Sequence, residues 1–405
     1  MDTITRRRFL TASGVAAGVT GGAVVGLREL LATAPDRDPA AGTLVLITLY
    51  GGNDGLNTVV PYADPAYAKA RPALAYPADK VLRLDDELGL NPAMTGLHRL
   101  YQAGKLAVVQ GVGYPQPDRS HFRSMDIWQS GRPDRPENTG WLGRWLDSAG
   151  GDPRLAVSFE PVLPPLLAGE HSAGATVPGG EVKLPATVTA GQLSTLGAAA
   201  PGEPAARTRA AACFADLLRV QDLMADVGAA ADEDDTDLAA TATGGATQPL
   251  DAQLALVARC VEAGAATRVY SVSLGGFDLH ADEKTAQENQ LTKLDRPLAA
   301  FADRMARTEA GRKVVIAVYS EFGRRVTTNA SDGTDHGTAS PVLLLGDRVT
   351  GGRYGAEPAL TDLDQGDLKY TTDFRDVYAT LLSGVLGAEP ERILNGWTGR
   401  LKLAI

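Results

Sequence analysis

Four short clusters of acidic residues and histidines each lie next to an apolar, strand-like segment of the chain. They are formed by Asp54, by Asp278 and His280, by Glu321, and by Asp335 and His336. Asp, Glu and His are ligand types that bind divalent metals. Because ligand sites of open parallel α/β sheets lie beyond the carboxyl ends of the strands, these clusters are predicted to meet in one site. The pattern favours a metal-dependent enzyme.

Five residues of these clusters are the predicted metal ligands: Asp54, Asp278, His280, Asp335 and His336. Asp278 and His280 are two residues apart, so in a continued strand both side chains point to the same side. The adjacent Asp335 and His336 diverge in direction and could serve two ions on either side of a bend. Each assignment has a structural alternative. Asp54 could be a turn residue that is favoured for its local hydrogen bonds, and Asp278 could be a surface residue with His280 as a capping residue.

The segment Arg119-Ser120-His121 carries the predicted nucleophile, Ser120. A serine hydroxyl is a poor nucleophile until a base or a metal removes its proton. Adjacent residues seldom form a direct Ser–His pair, so metal activation of Ser120 is favoured. His121 is assigned to the catalytic group as a base, with a metal ligand or a substrate contact as alternatives. Glu321 is assigned as a base or a ligand at a strand end.

Arg119, Arg324 and Asn53 are the predicted contacts of an anionic substrate. A guanidinium binds a phosphate or a carboxylate in a bidentate manner, which suits either arginine. The alternative for Arg324 is a structural ion pair with Glu321. No G-x-S-x-G motif is present, which argues against α/β-hydrolase chemistry.

The elements that carry these residues alternate between buried strands and helices. Strands are predicted over 43–50, 106–112, 268–274, 313–319 and 341–346, and helices over 92–104, 251–264, 286–308 and 375–386. The alternation predicts an α/β fold with a doubly wound, mostly parallel sheet that helices cover on both faces. Residues 43–405 are predicted to form a single domain with an irregular insertion around 160–250. The acidic run 232–237 is interpreted as a solvated loop, with a calcium site as the alternative.

Residues 1–34 are predicted to be a twin-arginine (Tat) export signal. Arg6, Arg7 and Arg8 precede a stretch rich in Gly and Ala, and residues 32–34 (Ala-Thr-Ala) offer a cleavage site. The apolar stretch is too short and too rich in glycine to span a membrane. We therefore expect the Tat translocase as a partner, a linker over 35–42, no stable membrane span after cleavage, and a periplasmic, cell-wall or extracellular location.

The composition restricts the class of partner. The chain has 405 residues, of which 44% are hydrophobic and 22% charged, as is ordinary for a globular protein. Without residues 1–34, 35 basic and 47 acidic residues give a net charge of −12, which argues against nucleic acid and anionic membranes. Cys213 and Cys260 lie in segments rich in Ala and Leu and are interpreted as buried apolar residues, with a disulfide as the alternative.

Several motifs resemble, in order and spacing, a bacterial family called domain of unknown function 1501. They include GGNDGLNTVVPY, VGYPQPDRSHFRSMDIWQSG, SLGGFDLHA, SEFGRRV and TDHGTASPVLLLG. The family is in turn similar to the alkaline phosphatase and sulfatase fold. This resemblance implies two divalent metals, with Asp54 as the acid after the first strand and Ser120 as the nucleophile. It also implies that Asp335 and His336 form the late ligand pair.

Two departures from the family pattern bear on the number of metals. Members often have Thr and Gln where this chain has Leu279 and Glu283. In addition, no histidine lies between His280 and His336, or after His336. One or two divalent ions (Zn, Mn, Mg or Ca) are therefore the expected cofactors.

Together these features predict an exported, metal-dependent hydrolase that acts on a small phosphate or sulfate ester. The alternative is an exported binding or envelope-assembly protein that retains the fold without turnover, because fold similarity does not establish activity.

Overall fold

The computed structural model of the chain describes residues 23–24, 42–160, 162–177, 245 and 248–405. Most of the predicted export signal, linker and insertion lies outside these residues, as do the acidic run 232–237 and Cys213. Cys260 is completely buried, as predicted. Within the described residues, no helix is both long enough and apolar enough to cross a bilayer.

The strands and helices of the described residues follow one another along the chain. The strands are β1 Ala23–Val24, β2 Thr43–Leu49, β3 Val59–Val60, β4 Leu82–Arg83, β5 Gly89–Leu90, β6 Leu106–Gly113, β7 Ala156–Ser158, β8 Ala175–Thr176, β9 Val269–Leu274, β10 Val314–Ser320, β11 Ser340–Leu345, β12 Gly352–Tyr354, β13 Leu363–Asp364, β14 Asp367–Leu368 and β15 Thr372–Asp373. The α-helices are α1 Gly55–Thr58, α2 Pro65–Ala70, α3 Thr95–Gln102, α4 His121–Ser130, α5 Trp141–Ser148, α6 Leu250–Glu262, α7 Glu283–Met305, α8 Phe374–Gly384 and α9 Pro390–Ile393.

A large mixed sheet forms the centre of the fold. Its order is β1-β8-β7-β9-β2-β10-β11-β6-β12, with β15 beside β6. Strand β11 is antiparallel to β10 and to β6, and the other paired strands of this sheet are parallel. The mostly parallel α/β architecture is therefore confirmed. Smaller antiparallel sheets are formed by β3, β5 and β4, and by β13 and β14.

Helices cover both faces of the central sheet. Along β2 the residues alternate: Val45 and Ile47 belong to one buried cluster with α3, α6 and α7, whereas Leu44 and Leu46 belong to another with α4, α5 and α8. A strand buried on both faces has a continuous apolar sequence, which explains why residues 43–49 show no alternation of polar and apolar residues. The doubly wound arrangement follows from these two layers.

The direction of β11 determines where the predicted site residues meet. Because β11 runs opposite to its neighbours, its first residue, Ser340, lies at the sheet edge where β2, β6, β9 and β10 end. The segment 334–337 that precedes β11 therefore reaches the same edge as the segments that follow the other four strands. All the sequence clusters, including Ser120 and His121 after β6, are brought to this edge.

Candidate functional site

The turn after β2 packs tightly against two other loops at this edge. Gly51 and Gly52 have positive φ angles of 116° and 73°. A Cβ atom on Gly51 would lie 2.4 Å from the backbone nitrogen of Asp278, and one on Gly52 would lie 2.2 Å from the ring of Phe322. Glycine alone allows both this conformation and this close approach. The two glycines thus allow the segments that follow β2, β9 and β10 to converge.

Arg324 fixes the positions of these loops from inside the protein. Its guanidinium donates to the carbonyl oxygens of Gly52 (2.6 Å) and Thr334 (3.0 Å), and to Asp278 Oδ1 (2.8 Å). The Arg324 side chain is completely buried. The prediction that Arg324 binds substrate is therefore wrong, because its donors are engaged within the fold. It does not pair with Glu321, whose carboxylate contacts His121 instead.

Three imidazoles and one carboxylate converge at the surface. His336 Nε2 lies 3.1 Å from His121 Nε2 and 3.1 Å from His280 Nε2. Asp278 Oδ1 lies 2.9 Å from His280 Nε2 and 3.1 Å from His336 Nε2. The same oxygen is 3.5 Å from His121 Nε2. We call these four residues the histidine cluster; it unites three of the predicted ligands with the predicted catalytic histidine.

The other ring nitrogens of two imidazoles determine their tautomers. His121 Nδ1 lies 2.7 Å from Glu321 Oε1, and His336 Nδ1 lies 2.8 Å from the carbonyl oxygen of Arg119. A carbonyl and a carboxylate accept hydrogen bonds, so each neutral imidazole carries its proton on Nδ1. His121 and His336 therefore present the lone pairs of Nε2 to the cluster, as metal-ligating imidazoles do.

The carboxylate of the cluster is held in its charged form. Burial raises the pKa of Asp278, but the hydrogen bond and the positive charge of Arg324 outweigh this effect and lower it to about 2. Burial lowers the pKa of His336, and the carbonyl of Arg119 and the carboxylate of Asp278, which would stabilise a protonated ring, oppose that shift only in part. Asp278 is therefore an anion at neutral pH, and protonation of His336 is disfavoured.

The histidine cluster contains a candidate metal site, formed by His121, Asp278 and His336, whose ligand atoms all lie within 4.8 Å of one another. Its converging atoms are electron-pair donors that repel one another unless a cation lies between them. Nitrogen and oxygen ligands at tetrahedral zinc distances are about 3.3 Å apart, and the contacts of His336 Nε2 and Asp278 Oδ1 within the cluster range from 2.9 to 3.5 Å. Two imidazoles with one carboxylate match the ligand preferences of zinc and similar ions. His280, a predicted ligand, lies beside this set, near His336 and Asp278, and not within it.

Two predicted site residues lie around the cluster and not within it. Asp335 Oδ1 is 3.7 Å from His280 Nδ1, on the outer side of the ring, and the Asp335 side chain is 59% exposed. Glu321 is completely buried, and its Oε1 accepts hydrogen bonds from Gly51 N and His121 Nδ1. These contacts do not support Asp335 as a ligand or Glu321 as a base. The contact of Glu321 with His121 is that of a group that orients a ligating imidazole, whereas Asp335 is too far from His280 for a hydrogen bond.

The predicted nucleophile lies next to the cluster in the chain. Ser120 is exposed and is the N-cap residue of α4, whose first residue is His121. Its side chain makes no capping hydrogen bond, and its backbone N–H donates to Asp118 Oδ1 at 2.7 Å. The hydroxyl is therefore available at a helix N-terminus, where backbone N–H groups favour an anion.

Asp54, which was predicted to bind a metal, instead pairs with an arginine. Its Oδ2 forms an ion pair with Nη1 of Arg71, and its Oδ1 accepts the N–H of Leu56 at 3.2 Å. The side chains of Arg71 and Asp54 are 0% and 1% exposed. Asp54 is thus engaged within the fold and does not belong to the group of ligand atoms at the histidine cluster, so the structure does not support its assignment as a metal ligand. No pattern around Arg71 in the sequence indicates this pairing.

A second buried carboxyl group lies beside this ion pair. Glu283 Oε2 accepts a hydrogen bond from Thr334 Oγ1 at 2.7 Å. Burial is the main cause that raises the pKa of Glu283, and the charge of Asp54 raises it further. We call Asp54, Arg71 and Glu283 the arginine cluster. In the sequence Glu283 stands out only as a departure from the family pattern.

Asn53 is also occupied within the fold. The residue is 3% exposed, its Nδ2 donates to Thr58 Oγ1 at 3.0 Å, and its Oδ1 accepts from Gln287 Nε2 at 2.8 Å. The prediction that Asn53 binds substrate is therefore wrong. Its amide instead ties the β2 turn to α7.

Comparisons with known proteins give distant structural similarity. No curated protein matches the sequence. A protein of the alkaline phosphatase superfamily from Vibrio parahaemolyticus is 11% identical, with a TM-score of 0.40 over 99% of this chain and 78% of that one. A phosphonate monoester hydrolase from Silicibacter pomeroyi is 11% identical, with a TM-score of 0.37 over 88% and 77%. A lipoteichoic acid synthase from Listeria monocytogenes is 9% identical, with a TM-score of 0.37 over 94% and 80%.

Sequence comparison gives a definite family. The model of the family described as protein of unknown function (DUF1501) matches residues 41–403, which include every residue of the histidine cluster. The chain belongs to this family.

Proposed function

We propose that the protein is an exported, metal-dependent hydrolase of phosphate or sulfate esters. The observation that carries the proposal is the convergence of Nε2 lone pairs of His121 and His336 on the ionised carboxylate of Asp278. Such a cluster of donors is costly without a cation and fits a metal well. Export rests on the predicted signal at residues 1–34.

Three residues would hold the metal: His121, Asp278 and His336, with His280 beside them. When bound, a divalent ion would lower the pKa of a nearby hydroxyl and neutralise negative charge that develops in the transition state. Glu321 and the carbonyl of Arg119 would keep two of the imidazoles in the ligating tautomer. This arrangement is characteristic of metal sites, in which partners of the ligands fix ring orientation.

Ser120 would supply the nucleophile. The Ser120 hydroxyl would release its proton to solvent and form a bond to the phosphorus or sulfur atom, while the bond to the ester oxygen breaks and the alcohol leaves with a proton taken from solvent. Water would then hydrolyse the new ester and restore the hydroxyl, which completes the reaction. The location of Ser120 before α4 supports this role, because the first N–H groups of the helix would face the oxyanion.

Substitution of Ser120 tests the catalytic part of the proposal. The protein is loaded with zinc or manganese and assayed with para-nitrophenyl phosphate and para-nitrophenyl sulfate. Ser120→Ala should reduce kcat at least about 100-fold with at least one of the two esters and leave the metal content unchanged, since Ser120 is not a ligand. Ser148→Ala, in which the hydroxyl lost donates to Trp145 O in α5, is the matched control.

The alternatives give different results in the same experiment. Unchanged hydrolysis in Ser120→Ala would exclude the serine intermediate. The absence of hydrolysis in the metal-loaded wild type, with either ester, would contradict the proposed function and favour a binding protein.

A further inference from the structure

Two half-exposed arginines share one buried carboxylate beside the candidate nucleophile. Arg119 Nε donates to Asp367 Oδ2 at 2.7 Å, and Arg119 Nη2 contacts the same oxygen. Arg325 Nε lies 3.5 Å from the other oxygen, Asp367 Oδ1. Asp367 is 1% exposed, whereas each arginine side chain is 36% exposed. We call Arg119 and Arg325 the arginine pair.

The arginine pair carries one positive charge more than its carboxylate neutralises. The contact of Arg325 with Asp367 is longer than a hydrogen bond, and Asp367 Oδ1 has no hydrogen-bond donor. The planar fork of Arg325 therefore keeps its donors for another acceptor. Such an excess of positive charge contrasts with the net charge of −10 of the chain and suits an anionic ligand.

The backbone connects this pair directly to the histidine cluster. The carbonyl of Arg119 accepts the hydrogen bond from His336 Nδ1 at 2.8 Å, and Ser120 is the next residue. Arg324 forms an antiparallel bridge with His336. Successive residues point in opposite directions, so Arg324 contacts Asp278 while Arg325 contacts Asp367. The pair therefore lies to one side of the cluster, away from the buried guanidinium of Arg324.

We infer that Arg119 and Arg325 bind a second anionic group of the substrate, separate from the ester that reacts at Ser120. The inference rests on the proposed function, and it defines the substrate class as esters that also carry a carboxylate, sulfate or phosphate on the alcohol portion. Asp367 positions the two guanidiniums and leaves the net charge of the pair positive. Arg119 was predicted from the sequence to contact the substrate, whereas Arg325 had no predicted role.

Two non-hydrolysable probes test this inference without turnover. Benzylphosphonate carries only the group that mimics the ester, and 4-carboxybenzylphosphonate adds a carboxylate. Isothermal titration of the metal-loaded wild type should show at least about tenfold tighter binding of the carboxylated probe, since hydrogen bonds between charged groups are the strong ones. Arg325→Gln should reduce that preference to less than about threefold.

Arg304→Gln is the matched control, because Arg304 forms an exposed ion pair with Glu262 at a distant helix end. It should retain the full preference for the carboxylated probe. Equal binding of the two probes to the wild type, including no measurable binding of either, would overturn the inference. An equal loss for both probes in Arg325→Gln would also overturn it, since the pair would then hold the reacting group itself. Failure of ester hydrolysis with a preserved probe preference would contradict the proposed function alone.

Discussion

The histidine cluster and the arginine cluster differ in how their carboxylates are neutralised. In the arginine cluster the carboxylate of Asp54 pairs with Arg71, and both side chains are buried. In the histidine cluster Asp278 is 42% exposed and faces imidazoles whose lone pairs add to its negative potential. The charge of Asp54 is neutralised within the fold, whereas the imidazole nitrogens beside Asp278 form a site that we expect a cation from outside to fill.

Asp54 and Asp278 have similar neighbours in the sequence but different surroundings in the structure. Asp54 and Asp278 each follow a buried strand at the same sheet edge and each come after a pair of glycines. A buried arginine contacts one oxygen of each carboxylate: Arg71 pairs with Asp54, which is 1% exposed, and Arg324 pairs with Asp278, which is 42% exposed and also faces imidazoles. The exposure of each carboxylate and its histidine neighbours therefore separate the candidate binding residue from the structural one.

The largest expected effect is on stability and comes from the arginine cluster. Arg71→Met leaves Asp54 buried without its partner, which should lower the free energy of unfolding by about 3–5 kcal/mol. Urea unfolding measures this change. The double variant Arg71→Met with Asp54→Asn should recover part of the loss because both charges are removed. Wild-type stability in Arg71→Met would contradict the role assigned to this ion pair.

The next effect is a gain in stability when metal binds to the histidine cluster. A ligand at 100 times its Kd stabilises the folded state by about 2.7 kcal/mol. Zinc should therefore raise the midpoint of urea unfolding of the wild type but not that of His336→Gln. An equal gain in both proteins would place the metal elsewhere.

A smaller effect is expected from the residue that orients His121. Glu321→Gln keeps the size of the side chain but removes the charge that accepts from His121 Nδ1. The affinity for zinc should fall about 10- to 100-fold, as for other partners of metal-ligating histidines. Competition with a chromophoric chelator measures the change, and Glu309→Gln, at an exposed carboxylate that pairs with Lys313, serves as control. Unchanged affinity would show that Glu321 does not act through His121.

The smallest expected effect is a dependence of stability on pH. The pKa of Glu283 is raised above its ordinary value of 4.5, chiefly by burial and then by the charge of Asp54. Between pH 4.5 and this raised pKa the folded protein binds more protons than the unfolded chain, so stability should fall as the pH rises through that range. Glu283→Gln should flatten the profile. A wild-type profile of stability that rises from pH 5 to pH 8 would contradict this assignment.

Sequence reasoning could predict the framework of the fold because hydrophobic pattern and length define its elements. The strand predicted over 313–319 is found as Val314–Ser320, and the helix predicted over 286–308 is found as Glu283–Met305. The reversed direction of β11 was not predicted, since an apolar run does not encode its orientation. That reversal is what brings His336 to the cluster.

The sequence could indicate which residue types meet but not which partner each one takes. Asp278, His280 and His336 were predicted to lie together, and they do so in the structure. Arg71 is remote in sequence from Glu283, and nothing local to either residue indicates their cluster. The sequence shows Arg324 and Arg325 as adjacent residues but does not indicate that their side chains point in opposite directions and contact different carboxylates.

The most direct test of the central claim is the metal content of three proteins. Wild type, Asp278→Asn and Asp54→Asn are each reconstituted with zinc, freed of excess metal and measured by elemental mass spectrometry. Our account predicts about one equivalent in the wild type and in Asp54→Asn, and a loss of most of the metal in Asp278→Asn. Metal that persists in Asp278→Asn but is lost in Asp54→Asn would contradict it and would move the metal site to the arginine cluster.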